Sequence, residues 1–243
     1  MNVQPIKTSV FHEKQDLIAF ITKHVPKLKN DSVLVVTSKI VALAEGRTAP
    51  LGSTKDKEKL IRSESEQGVK TKYTWLTVAR GMLMASAGVD ESNADGEYVL
   101  LPKDSYRSAA ELRKKLKQHY RTRNLGVLIV DSRTFPLRAG AAGMAVGYAG
   151  FKGVRDYRGT PDIFGRVLQM SRANIADGLA SAGVLVMGEG KERQPLAVIE
   201  NAPVEFAERV SKKELQIPLD DDMYHPFLKK SFGKSRRTKG KRK

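Results

Sequence analysis

The sequence predicts a protein of mixed strands and helices with a substantial core. Short runs of β-branched and other apolar residues, bounded by turn residues, are typical of buried strands. They alternate with segments that carry an apolar stripe or a capping residue and therefore predict helices. The chain has 243 residues, of which 40% are hydrophobic. That is enough for one large domain or for two small, intimate ones.

The central predicted strand covers residues 125–130, has the sequence LGVLIV and stops on Asp131. Ser108 and Glu111 form a capping-box pattern, which predicts a helix from Ser108 to about Thr122. The other predicted strands cover residues 3–6, 32–36, 76–85, 98–102, 184–187 and 195–199, and the other predicted helices cover residues 16–21, 39–46, 56–66 and 171–182.

The composition excludes several classes of protein and of site. The chain has no cysteine, which excludes disulfides, thiolate metal sites and cysteine nucleophiles. This fits a reducing compartment, and the N-terminus lacks the apolar segment of a secretion signal, so we expect a cytoplasmic protein. No apolar run approaches the ~20 residues of a membrane span, and we expect no membrane partner.

Much of the net charge of +16 lies at the C-terminus, where the last fifteen residues hold nine Lys or Arg and no acid. Self-repulsion and the scarcity of apolar residues predict a basic, disordered tail over residues 219–243, beyond a domain of residues 1–218. Such a tail is either a solubilising segment or a weak, non-specific contact to RNA.

Three apolar runs are followed by acidic residues, namely Asp90, Asp131 and, after a glycine, Glu189. Carboxylates that converge from strand ends are hard oxygen ligands of the kind that Mg²⁺ and Mn²⁺ prefer. Such ions neutralise phosphate charge and position nucleotides. Each acid taken alone is also an ordinary turn or cap residue, so the metal-site hypothesis depends on the three converging.

If the protein binds a nucleotide, it does so without the common glycine-rich nucleotide-binding motifs. The pair Thr37-Ser38 joins a predicted strand to a predicted helix, which indicates either an anion-binding helix start or an ordinary turn. The sequence contains no GxxxxGK[ST] loop, no GxGxxG and no GxSxG. Its four histidines are scattered and form no HExxH motif.

Five segments together resemble one protein family. They are SKIVALAEGR, SAGVDESN, VDSRTFPLRAG, the run from Gly143 to Gly150, and MGEG. In order and spacing they are similar to the coenzyme F-420-0:γ-glutamyl ligase (CofE-like) family over about residues 30–200. The resemblance implies a cytoplasmic homodimer with an intertwined α+β fold, in which helices pack on mixed sheets. It also implies GTP (or ATP) and Mg²⁺ or Mn²⁺ in the joining of L-glutamate to an acceptor carboxylate.

The resemblance also implies roles for individual residues. Asp90 and Asp131 match the family's metal-binding aspartates, and we expect them to be the catalytic residues. Ser132 lies beside the metal, and Glu189 matches a position that contacts a second metal and the nucleotide. The expected nucleotide-binding residues are Ser38, Lys39, Asn93, Gly188, Glu189 and Gly190. Basic residues assigned only generally to anionic ligands are Arg138, Arg155, Arg158 and Arg166.

The sequence departs from the family in three places. Leu43 replaces a nucleotide-contacting Lys, for which Lys39 on the same predicted helix is a substitute. Arg133-Thr134-Phe135 replaces Asn-Gly-Arg, and residues 191–194 are more charged than the usual loop. These segments are expected to contact the base and the acceptor. The choice between ATP and GTP and the identity of the acceptor therefore stay open.

Two hypotheses of different classes follow. The first is a γ-glutamyl ligase that acts on F-420-0 or a related cofactor precursor through an acyl phosphate, with a folate or pterin γ-glutamyl ligase as the alternative within that class. The second is a catalytically reduced relative that binds RNA through its basic tail.

Overall fold

The computed structural model describes residues 1–232, and its α+β content confirms the predicted fold class. In chain order the strands are β1 (Asn2–Ile6), β2 (Ser32–Thr37), β3 (Thr48–Pro50), β4 (Gln67–Lys70), β5 (Trp75–Ala79), β6 (Met82–Ala85), β7 (Glu97–Val99), β8 (Leu125–Thr134), β9 (Ala141–Ala149), β10 (Val154–Asp156), β11 (Arg172–Asn174) and β12 (Leu196–Glu200). The helices are α1 (Leu17–His24), α2 (Ser38–Ala44), α3 (Thr54–Glu64), α4 (Ser105–Tyr120), α5 (Ile175–Met187) and α6 (His225–Phe232).

These elements form two compact units. The first comprises Met1–Pro50 and Asp90–Leu215, and the second comprises Leu51–Val89 and residues 216–232. Within the first unit, five strands form a mixed sheet in the order β1-β12-β2-β8-β9. Strands β2 and β8 are parallel, whereas the other neighbouring pairs are antiparallel. Two short antiparallel pairs, β3-β7 and β10-β11, complete this unit.

Helices α5 and α4 cover the two faces of this sheet. Leu128 and Val130 pack in one core cluster with α5, and Gly143 lies so close to α5 that a Cβ there would be 2.2 Å from a helix carbonyl oxygen. Gly147, opposite Ile129, faces α4 instead, where a Cβ would be 2.5 Å from the backbone of Ser105. Because successive side chains of a strand alternate between faces, Asp131 points away from α5.

The second unit consists of the antiparallel sheet β4-β5-β6 with α3, a 3-10 helix at Ser86–Gly88, and α6. We predicted one strand over residues 76–85, and this prediction was wrong because a tight turn divides the segment into β5 and β6. Arg80 and Gly81 form that turn with φ values of 55° and 74°. Two consecutive residues with positive φ are the signature of the hairpin turn that matches strand twist.

Two further element predictions were wrong. Residues 184–187 continue α5 and do not form a strand. The capping box at Ser108 is not the start of α4, which begins at Ser105 after Asp104 accepts a hydrogen bond from the Arg107 N–H at 3.0 Å. Ser108 instead donates to Glu45 at 2.6 Å from within the helix.

The C-terminal segment contains regular structure. Leu219–Asp221 forms a 3-10 turn, and α6 follows with Pro226 near its start, a position where the missing N–H is no loss. The remaining tail residues, 233–243, lie outside the described residues. Among residues 1–232, none of the helices combines the length and apolar composition needed to cross a membrane.

Candidate functional site

The site is centred on Asp131, which occupies a strongly perturbed environment. It is the seventh residue of β8 and lies opposite Met144 of β9. Burial, with a smaller contribution from the negative charges of Asp90 and Glu189, raises the pKa of its carboxyl to about 6. The Ser132 N–H donates to it at 3.0 Å and partly offsets this effect. Within residues 1–232, no Lys or Arg nitrogen lies within ion-pair distance of Asp131.

In contrast to Asp131, Asp90 accepts hydrogen bonds at both of its carboxylate oxygens. Lys39 Nζ lies 2.7 Å from its Oδ2, and Ser92 donates through its backbone N–H at 2.9 Å and its hydroxyl at 2.8 Å. Lys39 also donates to the Ser92 carbonyl. Burial alone would raise the pKa of Asp90, but the hydrogen bonds from Lys39 and Ser92 outweigh it and lower the pKa below its usual value. Asp90 is therefore an anion at neutral pH.

A third segment approaches the same place. Helix α5 ends at Met187 and is followed by Gly188, whose φ of 80° is the left-handed conformation that glycine adopts without strain. Asn93, also at positive φ, donates to the Gly190 carbonyl at 3.3 Å and ties the loop after Asp90 to the loop after α5. Glu189, in this loop, is exposed and close enough to Asp131 to affect its pKa.

The fold therefore brings Lys39, Asp90, Asp131 and Glu189 into mutual electrostatic contact within the first unit. In residues 1–232 no three acidic or histidine side chains surround one point closely enough to hold a metal ion. At Asp90 the Lys39 ammonium balances the carboxylate charge. The donor types nevertheless fit a hard divalent ion, because Asp131 is an anionic oxygen ligand with no cationic partner. The ligand set Asp90, Asp131, Ser132 and Glu189 stays a prediction.

The start of α2 carries Ser38 and Lys39, which were predicted to bind the nucleotide. Ser38 is buried, with 6% exposure, as the first residue of a helix of seven residues, and Thr37 makes no side-chain capping bond. Leu43 packs against a small apolar cluster that contains Ala42 and Val99, which explains why an apolar residue is stable there. Lys39 provides an ammonium in this region through its contact with Asp90, and its role as a nucleotide contact stays a prediction.

Two of the arginines assigned to anionic ligands, Arg155 and Arg158, lie elsewhere. Arg155 is in β10 and donates to the Pro203 carbonyl at 2.8 Å. Arg158 pairs with Asp156. Strand β9 ends opposite Val127, which lies four residues before Asp131 in β8. Both arginines come after this end of β9, which is roughly 13 Å along the strand from Asp131. A cavity of about 430 Å³ adjoins Arg155 and is lined mainly by charged residues, including Lys152, Arg172 and Glu214. It lies at this far end, so we do not assign the chemistry to it.

The elements that carry this site lie within a segment that is shared with known proteins. A family model described as F420-0:Gamma-glutamyl ligase matches residues 5–201, which include all the elements that carry the site. The chain belongs to this family. It is 34% identical over 211 residues to the coenzyme F420:L-glutamate ligase of Methanococcus maripaludis strain C6, covering 86% of this chain and 85% of the relative.

Other members of the F420-0:γ-glutamyl ligase family give similar values. The coenzyme F420:L-glutamate ligase of Methanopyrus kandleri is 33% identical over 217 residues, which cover 82% of this chain and 86% of the relative. The protein of the same name from Methanocaldococcus jannaschii is 32% identical over 216 residues, covering 87% and 85%. The resemblance inferred from short motifs therefore extends over most of the chain.

Sequence reasoning identified residues 133–135 as a departure from the family near the base or the acceptor, but it did not single out the side chain of Arg133. Arg133 lies two residues after Asp131 on β8 and therefore on the same face of the sheet. The alternation of strand side chains is the signal that could have shown this, had the strand been predicted to extend beyond residue 130. The structure continues β8 to Thr134, and residues 135–140 form the hairpin connection between β8 and β9.

Proposed function

We propose that this chain is a nucleoside-triphosphate-dependent γ-glutamyl ligase. The family match over residues 5–201 carries the proposal, because the relatives of similar length are named coenzyme F420:L-glutamate ligases. Family membership supports a ligase that acts on glutamate. The carboxylates and lysine around Asp131 support a site for a polyphosphate and its cation, since these groups bind and balance charge where phosphoryl transfer needs it.

The proposed reaction has two steps. An acceptor carboxylate oxygen attacks the γ-phosphorus, the bond to the nucleoside diphosphate breaks, and an acyl phosphate forms. The amine nitrogen of L-glutamate then attacks the acyl carbon, phosphate leaves, and the amine loses a proton as the amide forms. The acceptor is F-420-0 or a related anionic precursor, with a folate or pterin as the alternative. GTP and ATP both remain candidates for the triphosphate.

The chain's own residues perform the binding and charge balance. Lys39 is placed to exchange its contact with Asp90 for a phosphate oxygen, since its ammonium has three donors and a flexible stem. Asp90, Asp131, Ser132 and Glu189 would hold Mg²⁺ or Mn²⁺, which neutralises phosphate charge when bound. Ser38, Asn93, Gly188 and Gly190 border the same region and are the proposed nucleotide contacts.

A homodimer is part of this proposal. Residues 157–171 form an arm, which we define as the excursion between β10 and β11. The two sides of the arm are joined by backbone bonds such as Leu168 N–H to Thr160 O at 2.9 Å. Its side chains Ile163, Phe164 and Met170 are 91%, 89% and 88% exposed. Contiguous exposed apolar side chains of this size indicate a protein interface, and a second copy of this chain is the partner that the family resemblance favours.

An assay with separate acceptors tests the function. The protein is incubated with Mg²⁺ or Mn²⁺, GTP or ATP, and L-glutamate, and is offered F-420-0 or a folate-type acceptor. We expect the mass of one acceptor to increase by one glutamyl unit. Absence of turnover with every acceptor and triphosphate would favour the alternative class, a relative that binds RNA through its basic tail. In that case removal of residues 229–243 should abolish polyanion binding.

A further inference from the structure

The guanidinium of Arg133 is partly buried, and its hydrogen-bonding groups make few contacts. Its Nε is buried and has no hydrogen-bond partner in the described part of the chain. Its Nη1 donates only to the sulfur of Met144, at 3.4 Å, and a thioether is a weak acceptor. Loss of water from a charged donor is costly unless another acceptor replaces it. Stability alone therefore does not explain this arrangement.

An aromatic ring also contacts this guanidinium. Its carbon lies 4.5 Å from the centroid of the Phe135 ring, within the range of a cation–π contact. Arg133 and Asp131 share one face of β8, and Phe135 follows directly after the end of the strand. Met144 lies directly opposite Asp131 on β9, so the contact from Arg133 to its sulfur places the guanidinium beside the pair Asp131–Met144. A stacked arginine loses little further freedom when it binds a ligand.

Arg133 and Asp131 have opposite charges, but they do not form an ion pair within residues 1–232. The two opposite charges lie on one face of the strand, and neither has an ionic partner among the described residues. A ligand that presents a cation to the acid and an oxyanion to the arginine would neutralise both charges together. Arginine binds carboxylates and phosphates through paired N–H groups, which gives orientation as well as affinity.

We propose that Arg133, held by Phe135 and Met144, forms an oxyanion-binding subsite of the Asp131 site. The subsite takes a carboxylate or a phosphate of a substrate and aligns it with the group bound at Asp131. This inference rests on the proposed function for the identity of the substrates, but not for the existence of the subsite. The two sources of the oxyanion are the triphosphate on one side and the acceptor or glutamate carboxylate on the other.

Steady-state kinetics with each substrate varied in turn distinguish these sources. For Arg133→Gln we expect the KM of one substrate to rise roughly 10–100-fold, as for the loss of a charged hydrogen bond. The KM values of the others should change little, and the affected substrate identifies the oxyanion. Arg133→Lys should recover part of the loss, and Phe135→Leu should give an intermediate effect. The control is Arg107→Gln, which removes an exposed arginine of α4 paired with Glu111.

Equilibrium binding keeps the test decisive if no acceptor is turned over. Calorimetric titration with GTP, tripolyphosphate, L-glutamate and F-420-0 should show weaker binding of at least one of them to Arg133→Gln than to the wild type. Failure of the ligation assay together with this difference would reject the function and retain the subsite. If all KM values and affinities of the folded Arg133→Gln protein stay within twofold of the wild type, the subsite is wrong.

Discussion

At the scale of residues, the site is defined by two aspartates whose pKa values are shifted in opposite directions. Asp90 accepts from Lys39 and Ser92 and keeps a lowered pKa, whereas burial and two neighbouring acids raise the pKa of Asp131 to about 6. Sequence reasoning could identify both acids because each follows an apolar run. It could not assign their states, because these depend on Lys39, which lies 51 residues before Asp90.

Lys39 provides a direct prediction. Lys39→Met should weaken triphosphate binding by roughly 10–100-fold, because a charged donor is lost and Asp90 is left without its cation. Fluorescence or calorimetric titration with GTP measures the effect. Lys115→Met, which removes an exposed lysine of α4, is the control and should bind GTP normally. Unchanged GTP affinity in Lys39→Met would show that Lys39 serves only to neutralise Asp90.

At the scale of elements, close packing between β9 and α5 positions the site. Gly143→Ala should lower the melting temperature markedly or prevent folding, because the added Cβ would lie 2.2 Å from the Ala180 carbonyl oxygen. Gly178→Ala is the matched control, since a Cβ in this part of α5 meets nothing within 4 Å. There the change should stabilise by about 0.5–1 kcal/mol through helix propensity. Equal thermal stability of the two variants would contradict the packing described.

Helix α4 is held to the sheet by a buried arginine. Arg113 donates to the Leu125 carbonyl at 2.7 Å and pairs with both oxygens of Glu208 at 2.8 Å. Hydrogen bonds from Arg113 and Lys117 lower the pKa of Glu208 to about 2. A lowered folded-state pKa stabilises the protein above the ordinary pKa of 4.5, and this contribution is lost as the pH falls from about 4.5 to about 2.

Urea unfolding of the wild type and Glu208→Gln at pH 7 and pH 3 measures this linkage. The wild type should be more stable at pH 7 by no more than about 1 kcal/mol, since the Glu208 side chain is 71% exposed and screened by solvent. The difference should shrink at pH 3. A difference that is independent of pH would mean that the carboxylate charge does not stabilise the protein.

The element predictions failed where short-range patterns were ambiguous. Residues 184–187 are a short apolar run, which periodicity alone cannot assign to a strand or a helix. They are helical because α5 buries Ala180, Val184 and Met187 at helical spacing against the sheet. The start of α4 was misplaced because two candidate caps, Asp104 and Ser108, lie one turn apart. In contrast, the strands 32–36 and 195–199 were confirmed, because both are continuously apolar and central in the sheet.

At the scale of the whole molecule, the exposed arm leads to a prediction about assembly. Replacement of Ile163 and Phe164 by Asp should convert a dimer into monomers, because it places charge where apolar surface would be buried between copies. Analytical ultracentrifugation at micromolar concentration measures the change. Tyr73→Asp, an exposed aromatic residue of the second unit, is the control and should remain dimeric. A wild type that sediments as a monomer would contradict the proposed homodimer.

The central claim is that Asp131 is the centre of the ligation site, and Asp131→Asn tests it most directly. The substitution keeps the shape of the side chain and removes a charge that burial and two acids already disfavour, so thermal stability should not fall. We predict that the rate of glutamyl transfer, measured by the mass of the acceptor, falls at least about 100-fold. The control Asp31→Asn, in a turn distant in sequence, should keep the wild-type rate. Wild-type ligation by Asp131→Asn would contradict the assignment of the site.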